Sequence, residues 1–270
     1  MSTFLEADEL VCRINVYDPR EVSDFFVALG GSVIDSAGQK GNGESTLKVG
    51  EGLISILKSA NHNYFYPEMS VQMNKTDQSI WTSRFESLLD SKVRSKTKLE
   101  INSPSGPPFS FNNQLIQLRN ENSDQVSVRN EGSVLHFQIT WWSKKWLDDY
   151  AFLSQKLGLA TSRGRSEPEG SRIAFLRAAN SGRSILEIVD GLYDQHEGPE
   201  LHWLISLVVD DAEIFHERLI STGQPVSSLG FTSWNALSFT AKTSSGPLLF
   251  VYQERPNGTP GMVGSPAGLD

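Results

Sequence analysis

Three polar side chains interrupt apolar segments in the C-terminal half of the sequence. His136 stands in Val-Leu-His-Phe, Glu187 in Ile-Leu-Glu-Ile and His202 in Glu-Leu-His-Trp. An unpartnered imidazole or carboxylate is costly in an apolar strand, so each group needs a partner. Two imidazoles and one carboxylate with open positions suit Fe(II), and Mn, Ni and Zn accept them too. Such an ion could polarise substrate oxygens, acidify a bound proton or bind O2. The alternative for each residue is a solvent-facing or internally satisfied side chain.

The single cysteine narrows the choice of metal ligands. Cys12 has no second cysteine to pair with, which excludes an internal disulfide and a thiolate-based zinc cluster. Any metal must therefore be held by imidazole and carboxylate groups. No histidine stands beside Cys12, and its basic neighbour Arg13 should point to the opposite face of the strand. We therefore interpret Cys12 as a small buried hydrophobic residue rather than a nucleophile.

Composition and charge restrict the class of partner. The 270 residues carry a net charge of -8 and an isoelectric point of about 5.2, which argues against nucleic acid as the main partner. No apolar run approaches the ~20 residues needed to cross a bilayer, and the first ten residues are acidic where a signal peptide would be basic. We expect a cytoplasmic protein that acts on a small molecule, with no nucleic acid or membrane partner.

The elements that would position these residues follow a pattern that occurs four times. Each copy has a short apolar strand, a capped amphipathic helix and Gly-punctuated strands that end in an apolar run. In the first copy, a strand from Leu10 to Val16 leads to Asp18, a fitting N-cap. Pro19 at the first helical position and Glu21, which completes a capping box, support a helix here. The helical face is predicted to consist of Val22, Phe25, Phe26 and Leu29, and to end at Gly30 and Gly31.

The other three copies have the same order of elements. The predicted first strands are Glu68 to Met73, Val134 to Ile139 and Leu201 to Ile205. The predicted helix of the second copy is capped by Asp77, and the predicted helix of the third copy begins near Ser143. The predicted helix of the fourth copy spans about Asp211 to Thr222. The predicted last strands are Gln114 to Leu118, Ser184 to Val189 and Pro247 to Tyr252.

The connections between copies indicate how they are paired. Short segments join the first copy to the second and the third to the fourth, whereas 119–132 is a longer polar stretch. We therefore predict an N-terminal pair over 1–122 and a C-terminal pair over 131–255. Residues 256–270 are rich in Pro, Gly, Ser and Thr and are expected to be a disordered tail.

Four βαβββ units, paired two and two, resemble the vicinal oxygen chelate superfamily. That superfamily includes glyoxalases, bleomycin- and fosfomycin-resistance proteins and two-domain extradiol dioxygenases. The resemblance runs from Leu10 to Tyr252 and rests on the fold more than on any motif. It implies an α+β fold in which the modules pair into two domains, each with curled mixed sheets around a cavity.

The resemblance also implies a place for a metal. In this superfamily the ligands come from the first and last strands of each module, which here gives His136, His202 and Glu187, with Phe250 at the fourth position. The implied cofactor is a divalent metal, Fe(II) or Mn, Ni or Zn. These three residues are then the catalytic candidates, with Glu187 or a metal-bound hydroxide as the base.

The departures from the family pattern concern both halves. Glyoxalases use a carboxylate at the position of Glu187, whereas the dioxygenases take theirs from the position of Phe250, so the sequence is closer to the glyoxalase arrangement. In the N-terminal pair the matching positions are Cys12, Ser55, Ser70 and Gln117, which predicts no metal there.

Four residues are candidates for the wall of a substrate pocket. Trp203, Trp234 and Phe250 could contact a bulky ligand, although packing within the core would explain them as well. Arg172 flanks a polar hairpin and could meet an anionic substrate or simply lie in a solvated loop.

Two classes of function therefore follow. The first is a metal-dependent lyase, isomerase or dioxygenase that acts on a small oxygenated molecule in secondary metabolism or detoxification. The second is a metal-free protein that sequesters a small molecule, and a metal-free lyase or cyclase lies between them. Because the chain supplies both halves of each cavity, we expect a monomer or a homodimer.

Overall fold

The chain forms two eight-stranded mixed sheets and a small number of helices. A computed structural model describes residues 9–36, 44–50, 52–60, 68–72, 93–95, 98–102, 104, 108–112, 132, 134–165, 172–178, 184–190, 203–232, 235–243 and 246–253. The N-terminal sheet and its helix comprise β1 (Glu9–Val16), α1 (Pro19–Ala28), β2 (Ser32–Ser36), β3 (Glu44–Val49), β4 (Gly52–Lys58), β5 (Glu68–Gln72), β6 (Val93–Ser95), β7 (Lys98–Asn102) and β8 (Pro108–Asn112).

In the described residues, the C-terminal half also forms eight strands, which are accompanied by two α-helices and one π-helical turn. Its elements are β9 (Val134–Ser143), α2 (Trp146–Ala151), a π-helical turn (Phe152–Lys156), β10 (Ala160–Arg165), β11 (Ile173–Arg177), β12 (Ser184–Asp190), β13 (Trp203–Val209), α3 (Ala212–Ser221), β14 (Gly230–Phe231), β15 (Leu237–Lys242) and β16 (Leu248–Gln253).

The two sheets share one strand order. It is β2-β3-β4-β1-β5-β8-β7-β6 in the N-terminal sheet and β10-β11-β12-β9-β13-β16-β15-β14 in the C-terminal sheet. In both, the two first strands pair antiparallel at the centre, and each first strand pairs in parallel with the last strand of its own copy. The predicted α+β fold is therefore confirmed. The helix predicted after Asp77 lies outside the described residues.

The helix boundaries follow local capping chemistry. Asp18 accepts hydrogen bonds from the backbone N–H groups of Arg20 at 3.0 Å and Glu21 at 3.2 Å, as its predicted N-cap role requires. Asp211 does the same for Glu213 and Ile214 at the start of α3. The predicted buried face of α1 is also confirmed: Val22, Phe25, Phe26 and Leu29 are each at most 1% exposed.

The first strand of the third copy is longer than predicted. It continues through Ser143, because Trp141 extends the buried alternation that begins with Phe137 and Ile139. Ser143 still contributes to the turn before the helix, because its hydroxyl accepts a hydrogen bond from the backbone N–H of Lys145 at 3.0 Å. The helix itself begins at Trp146.

The last strand of the second copy is not where the sequence pattern put it. β8 pairs in parallel with β5, with Ser70 opposite Ser110, and it covers Pro108–Asn112. The predicted strand from Gln114 to Leu118 lies outside the described residues. Phe109, Ser110 and Phe111 alternate between apolar and polar residues, as is typical of a strand with one apolar face. The predicted strand was instead placed on a continuous apolar run. The last-strand position that pairs with Ser70 is therefore Ser110, whereas the sequence pattern assigned this position to Gln117.

The two sheets are joined through one buried core. A single hydrophobic cluster includes residues of both, for example Ile14 and Phe25 from the N-terminal half and Phe137 and Phe215 from the C-terminal half. The predicted domain limits at 122 and 131, and the tail 256–270, lie outside the described residues and stay predictions. Within the described residues, no helix is long and apolar enough to cross a membrane.

Candidate functional site

One face of the C-terminal sheet carries polar side chains at its centre. Along β9, Phe137, Ile139 and Trp141 enter the core, so Gln138 and Thr140 belong to the opposite face. Residues directly opposite each other on paired strands share a face. By register this polar face contains Gln138, Thr140, Glu187, Ser206, Thr240, Phe250 and Tyr252.

Glu187 is the charged group at the centre of this polar face. Its Oε2 accepts hydrogen bonds from Gln138 Nε2 at 2.6 Å and from the Thr140 hydroxyl at 2.5 Å. Hydrogen bonds to an ionised acceptor are shorter and stronger than neutral ones, which fits these distances. Tyr252 donates its hydroxyl to Gln138 Oε1 at 3.3 Å, so the Gln138 amide is oriented at both ends. The network therefore links the third copy of the repeat to the fourth.

The site has a buried layer and a more accessible one. Gln138 and Thr140 are 4% and 3% exposed, whereas Glu187, Phe250 and Tyr252 are half-buried. The rings of Phe250 and Tyr252 lie 5.5 Å apart in a tilted arrangement. A ligand on this face would meet the carboxylate and the two rings. The amide and hydroxyl beneath would only hold the carboxylate.

The register separates His136 from Glu187. Glu187 pairs with Thr140, and His136 lies four residues further along the same strand, opposite Val208. Four residues of extended strand span about 13 Å. The backbone positions of His136 and Glu187 are therefore well separated along the strands, and a metal shared by the two residues stays a prediction.

His202 lies outside the described residues, but its neighbour Trp203 is placed. Trp203 pairs with Trp141, five residues or about 17 Å along the strand from His136. Because His202 is not among the described residues, the metal triad of His136, Glu187 and His202 stays a prediction.

The predicted pocket residues have different outcomes. Phe250 lies on the polar face with Glu187, as described above. The backbone of Trp203 pairs with that of Trp141, and its side chain lies outside the described part of the structure. The Arg172 guanidinium lies 6.0 Å from the ring of Trp146 in α2, whose indole N–H donates to Ile188 O. Trp234 lies outside the described residues.

The donor types around Glu187 do not fit a divalent ion. The superfamily's ligand positions lie on first and last strands, and near Glu187 these positions hold Gln138, Ser206 and Phe250. An amide, a hydroxyl and a benzyl group do not provide the imidazoles and carboxylates that such ions require. In the described part of the chain no three His, Cys, Asp or Glu residues are grouped to hold an ion. No step of the chemistry below is therefore assigned to a metal.

Sequence reasoning missed Gln138, Thr140 and Tyr252. All three stand at alternate positions of apolar strands, the same signal that identified Glu187. The prediction was limited to imidazole and carboxylate groups and therefore did not include these three residues. A count of every polar residue on the predicted inner faces would have found them.

Cys12 occupies the predicted core position in the N-terminal sheet. It is 1% exposed, and burial raises the pKa of its thiol well above the ordinary value of 9.0. A thiol held neutral in this way is a poor nucleophile. The interpretation of Cys12 as a buried hydrophobic residue agrees with both observations.

Comparison with solved structures identifies proteins of the same architecture. The Mn(II)-bound glyoxalase from Novosphingobium aromaticivorans aligns with 94% of this chain and 83% of its own, at 16% identity and a TM-score of 0.60. A 2,3-dioxygenase from a Pseudomonas strain aligns over 94% of both chains, at 11% identity and a TM-score of 0.61. Homoprotocatechuate 2,3-dioxygenase from Arthrobacter globiformis aligns over 93% of this chain and 81% of its own, at 13% identity and a TM-score of 0.57.

No protein-family model and no curated protein sequence matches the chain. The structural alignments nevertheless cover nearly its whole length, and their partners are glyoxalases and extradiol dioxygenases. The chain therefore has the fold of the vicinal oxygen chelate superfamily.

Proposed function

We propose that the protein is an enzyme that binds a small oxygenated organic molecule on the polar face of its C-terminal sheet and uses Glu187 to move a proton. One observation carries the proposal. A half-buried carboxylate is fixed by Gln138 and Thr140 at Oε2, beside the half-buried rings of Phe250 and Tyr252. A positioned acid or base of this kind accelerates proton transfer by about 10²–10⁴-fold.

The reaction class is that of a lyase or isomerase. Glu187 takes a proton from a C–H next to a carbonyl group, and the bonding electron pair remains on the substrate as an enolate. The same carboxyl then returns the proton to another atom, which isomerises the substrate, or the enolate expels a leaving group. Gln138 and Thr140 keep the carboxylate in one orientation throughout and touch no substrate.

Proton exchange with solvent tests this function even when the product has not been identified. Carbonyl compounds and hydroxy ketones that carry a C–H next to the carbonyl group are incubated with the protein in D2O, and loss of substrate C–H signals is followed by proton NMR. We expect Glu187→Gln to keep ligand binding and to slow exchange by about 10²–10⁴-fold. The exposed Glu213 provides the control Glu213→Gln, which should exchange at the wild-type rate. Equal exchange by Glu187→Gln and the wild type would rule out the proposal.

A binding protein without catalysis is the second candidate. The observation that favours it is the pair of rings, Phe250 and Tyr252, whose apolar surface could hold a planar ligand. Here Phe250→Ala should weaken ligand affinity, Glu187→Gln should change it little, and no variant should exchange substrate protons. Calorimetric titration of ligands from the same screen measures these affinities.

A metal-dependent form of the enzyme is the competing proposal. It would use His136, Glu187 and His202 with Fe(II), Mn, Ni or Zn, and its support is the Mn(II)-bound glyoxalase among the structural neighbours. Against it stand the strand register and the donor types around Glu187. Loss of both bound metal and turnover in His202→Ala would support it. In every form the partner is a small molecule, and size-exclusion chromatography with light scattering will distinguish a monomer from a homodimer.

A further inference from the structure

One of the two oxygens through which Glu187 could bind a metal, Oε2, already accepts two hydrogen bonds. Gln138 Nε2 and the Thr140 hydroxyl both point their protons at Oε2. An ion bound to that oxygen would have to displace at least one donor, and the displaced group is buried. A buried donor that loses its acceptor destabilises the folded state. The arrangement therefore opposes metal binding at this carboxylate oxygen.

The surrounding positions add no charge that would compensate. Ser206, directly opposite Gln138 in the register, is 2% exposed and neutral, and Phe250 next to it offers no ligand atom. Divalent ions are held chiefly by imidazole, thiolate and carboxylate groups, and affinity for hard ions rises with the number of carboxylates. Of the described side chains Gln138, Thr140, Ser206 and Phe250, none adds a charge beside Glu187.

We infer that the side-chain network of Gln138, Thr140 and Tyr252 takes the place of the metal ion in this sheet, so that Glu187 works as a metal-independent carboxylate. Tyr252 is a positioning residue, because its hydroxyl holds Gln138 Oε1 and so directs Nε2 towards Glu187. The inference rests on the proposed site but on no particular reaction there. Metal binding and substrate turnover can therefore fail independently.

Metal titration of the purified full chain is the direct test. After chelator treatment, Mn(II) alone is added, and the free ion is followed by electron paramagnetic resonance. We expect no saturable binding to the wild type, to His202→Ala or to Glu187→Gln. Stoichiometric binding by the wild type that is lost in His202→Ala or Glu187→Gln would overturn the inference. This outcome is separate from the deuterium exchange that tests the proposed function.

A variant that gains Mn(II) binding would show which residue occupies the position of the metal. Gln138→Glu changes an amide to a carboxylate of nearly the same shape and puts a second negative charge beside Glu187. We expect Gln138→Glu to show saturable Mn(II) binding that the wild type lacks, because a second carboxylate replaces a donor.

The control for this variant is Gln253→Glu, which makes the same change of charge on β16. Gln253 accepts the N–H of Ala212 with its side chain, away from Glu187, so the variant should not gain affinity. Circular dichroism verifies that each variant is folded. If folded Gln138→Glu binds no better than Gln253→Glu, the assignment of the metal position to Gln138 is wrong.

Discussion

At the scale of single residues, Glu187 and Cys12 show how one environment favours chemistry and another suppresses it. Glu187 is half-buried, so it can meet a ligand, and it is oriented by two donors. Cys12 is 1% exposed and surrounded by apolar side chains of the core cluster. Cys12 lies on the first strand of its copy of the repeat, β1, and Glu187 lies on the last strand of its copy, β12. They differ in which face of the strand they occupy.

The thiol of Cys12 should be unreactive in the folded protein. Burial raises the pKa of its thiol above the ordinary value of 9.0, so at pH 8 the thiolate is scarce and also shielded. We expect a chromogenic thiol reagent to leave the native protein unlabelled and to titrate one thiol after denaturation in guanidinium. Rapid labelling of the native protein would contradict this expectation.

The same shift predicts a loss of stability at high pH. Because the unfolded thiol ionises near pH 9.0 and the folded thiol does not, the unfolded state releases the proton first. The stabilising contribution is complete below pH 9 and declines as the pH rises above it. Denaturant unfolding at pH 8 and pH 10 should therefore show a larger loss for the wild type than for Cys12→Ala.

At the scale of elements, caps and glycines define where helices begin and end. Asp18 and Asp211 each receive two backbone N–H groups in the first turn of their helix. Gly30 and Gly223 follow the helix ends with φ values of +88° and +73°, which glycine adopts without strain. These devices act within a few residues, so the chain fixes them locally.

Removal of an N-cap should destabilise the protein by a measurable amount. Asp18→Ala leaves the N–H groups of Arg20 and Glu21 without their acceptor, and we expect a loss of about 1 kcal/mol in the free energy of unfolding. The control is Asp24→Ala in the same helix. Its exposed carboxylate lies 3.9 Å from Arg20, and such pairs contribute only about 0.3–0.5 kcal/mol. Equal losses for the two variants in urea would refute the capping role.

At the scale of the whole molecule, the two sheets meet through close backbone contacts. A Cβ at Gly50, whose φ is +58°, would lie 2.7 Å from the carbonyl oxygen of Val134 at the start of β9. A Cβ built at Gly30 of the N-terminal half would lie 3.9 Å from the guanidinium of Arg218 in α3. Because the core is also continuous, we expect the described halves to unfold together.

Gly50→Ala tests this junction. The new methyl group would press on the Val134 carbonyl and require a strained φ, so we expect a loss of more than about 1 kcal/mol. Gly230→Ala is the matched control, because a Cβ there meets nothing within 4 Å. Calorimetry should show one lower transition for Gly50→Ala and little change for the control. An unchanged melting temperature for Gly50→Ala would show that the junction is loose.

The sequence alone determined the features that depend on neighbouring residues. The N-cap at Asp18, the helix that begins near Asp211, the buried face of α1 and the α+β class all follow from local spacing. The core position of Cys12 follows from strand alternation. Short-range periodicity carries this information because each side chain's face is set by its own strand or helix.

The tertiary structure decided which polar groups meet. Gln138 lies 49 residues from Glu187 in the chain, and only the register of β12 on β9 brings their side chains to 2.6 Å. The same register places His136 opposite Val208, away from Glu187. Register depends on the length of β9 and on pairing between distant segments, and no local pattern encodes it. The sequence thus selected Glu187 as a candidate, and the tertiary structure determined which side chains surround it.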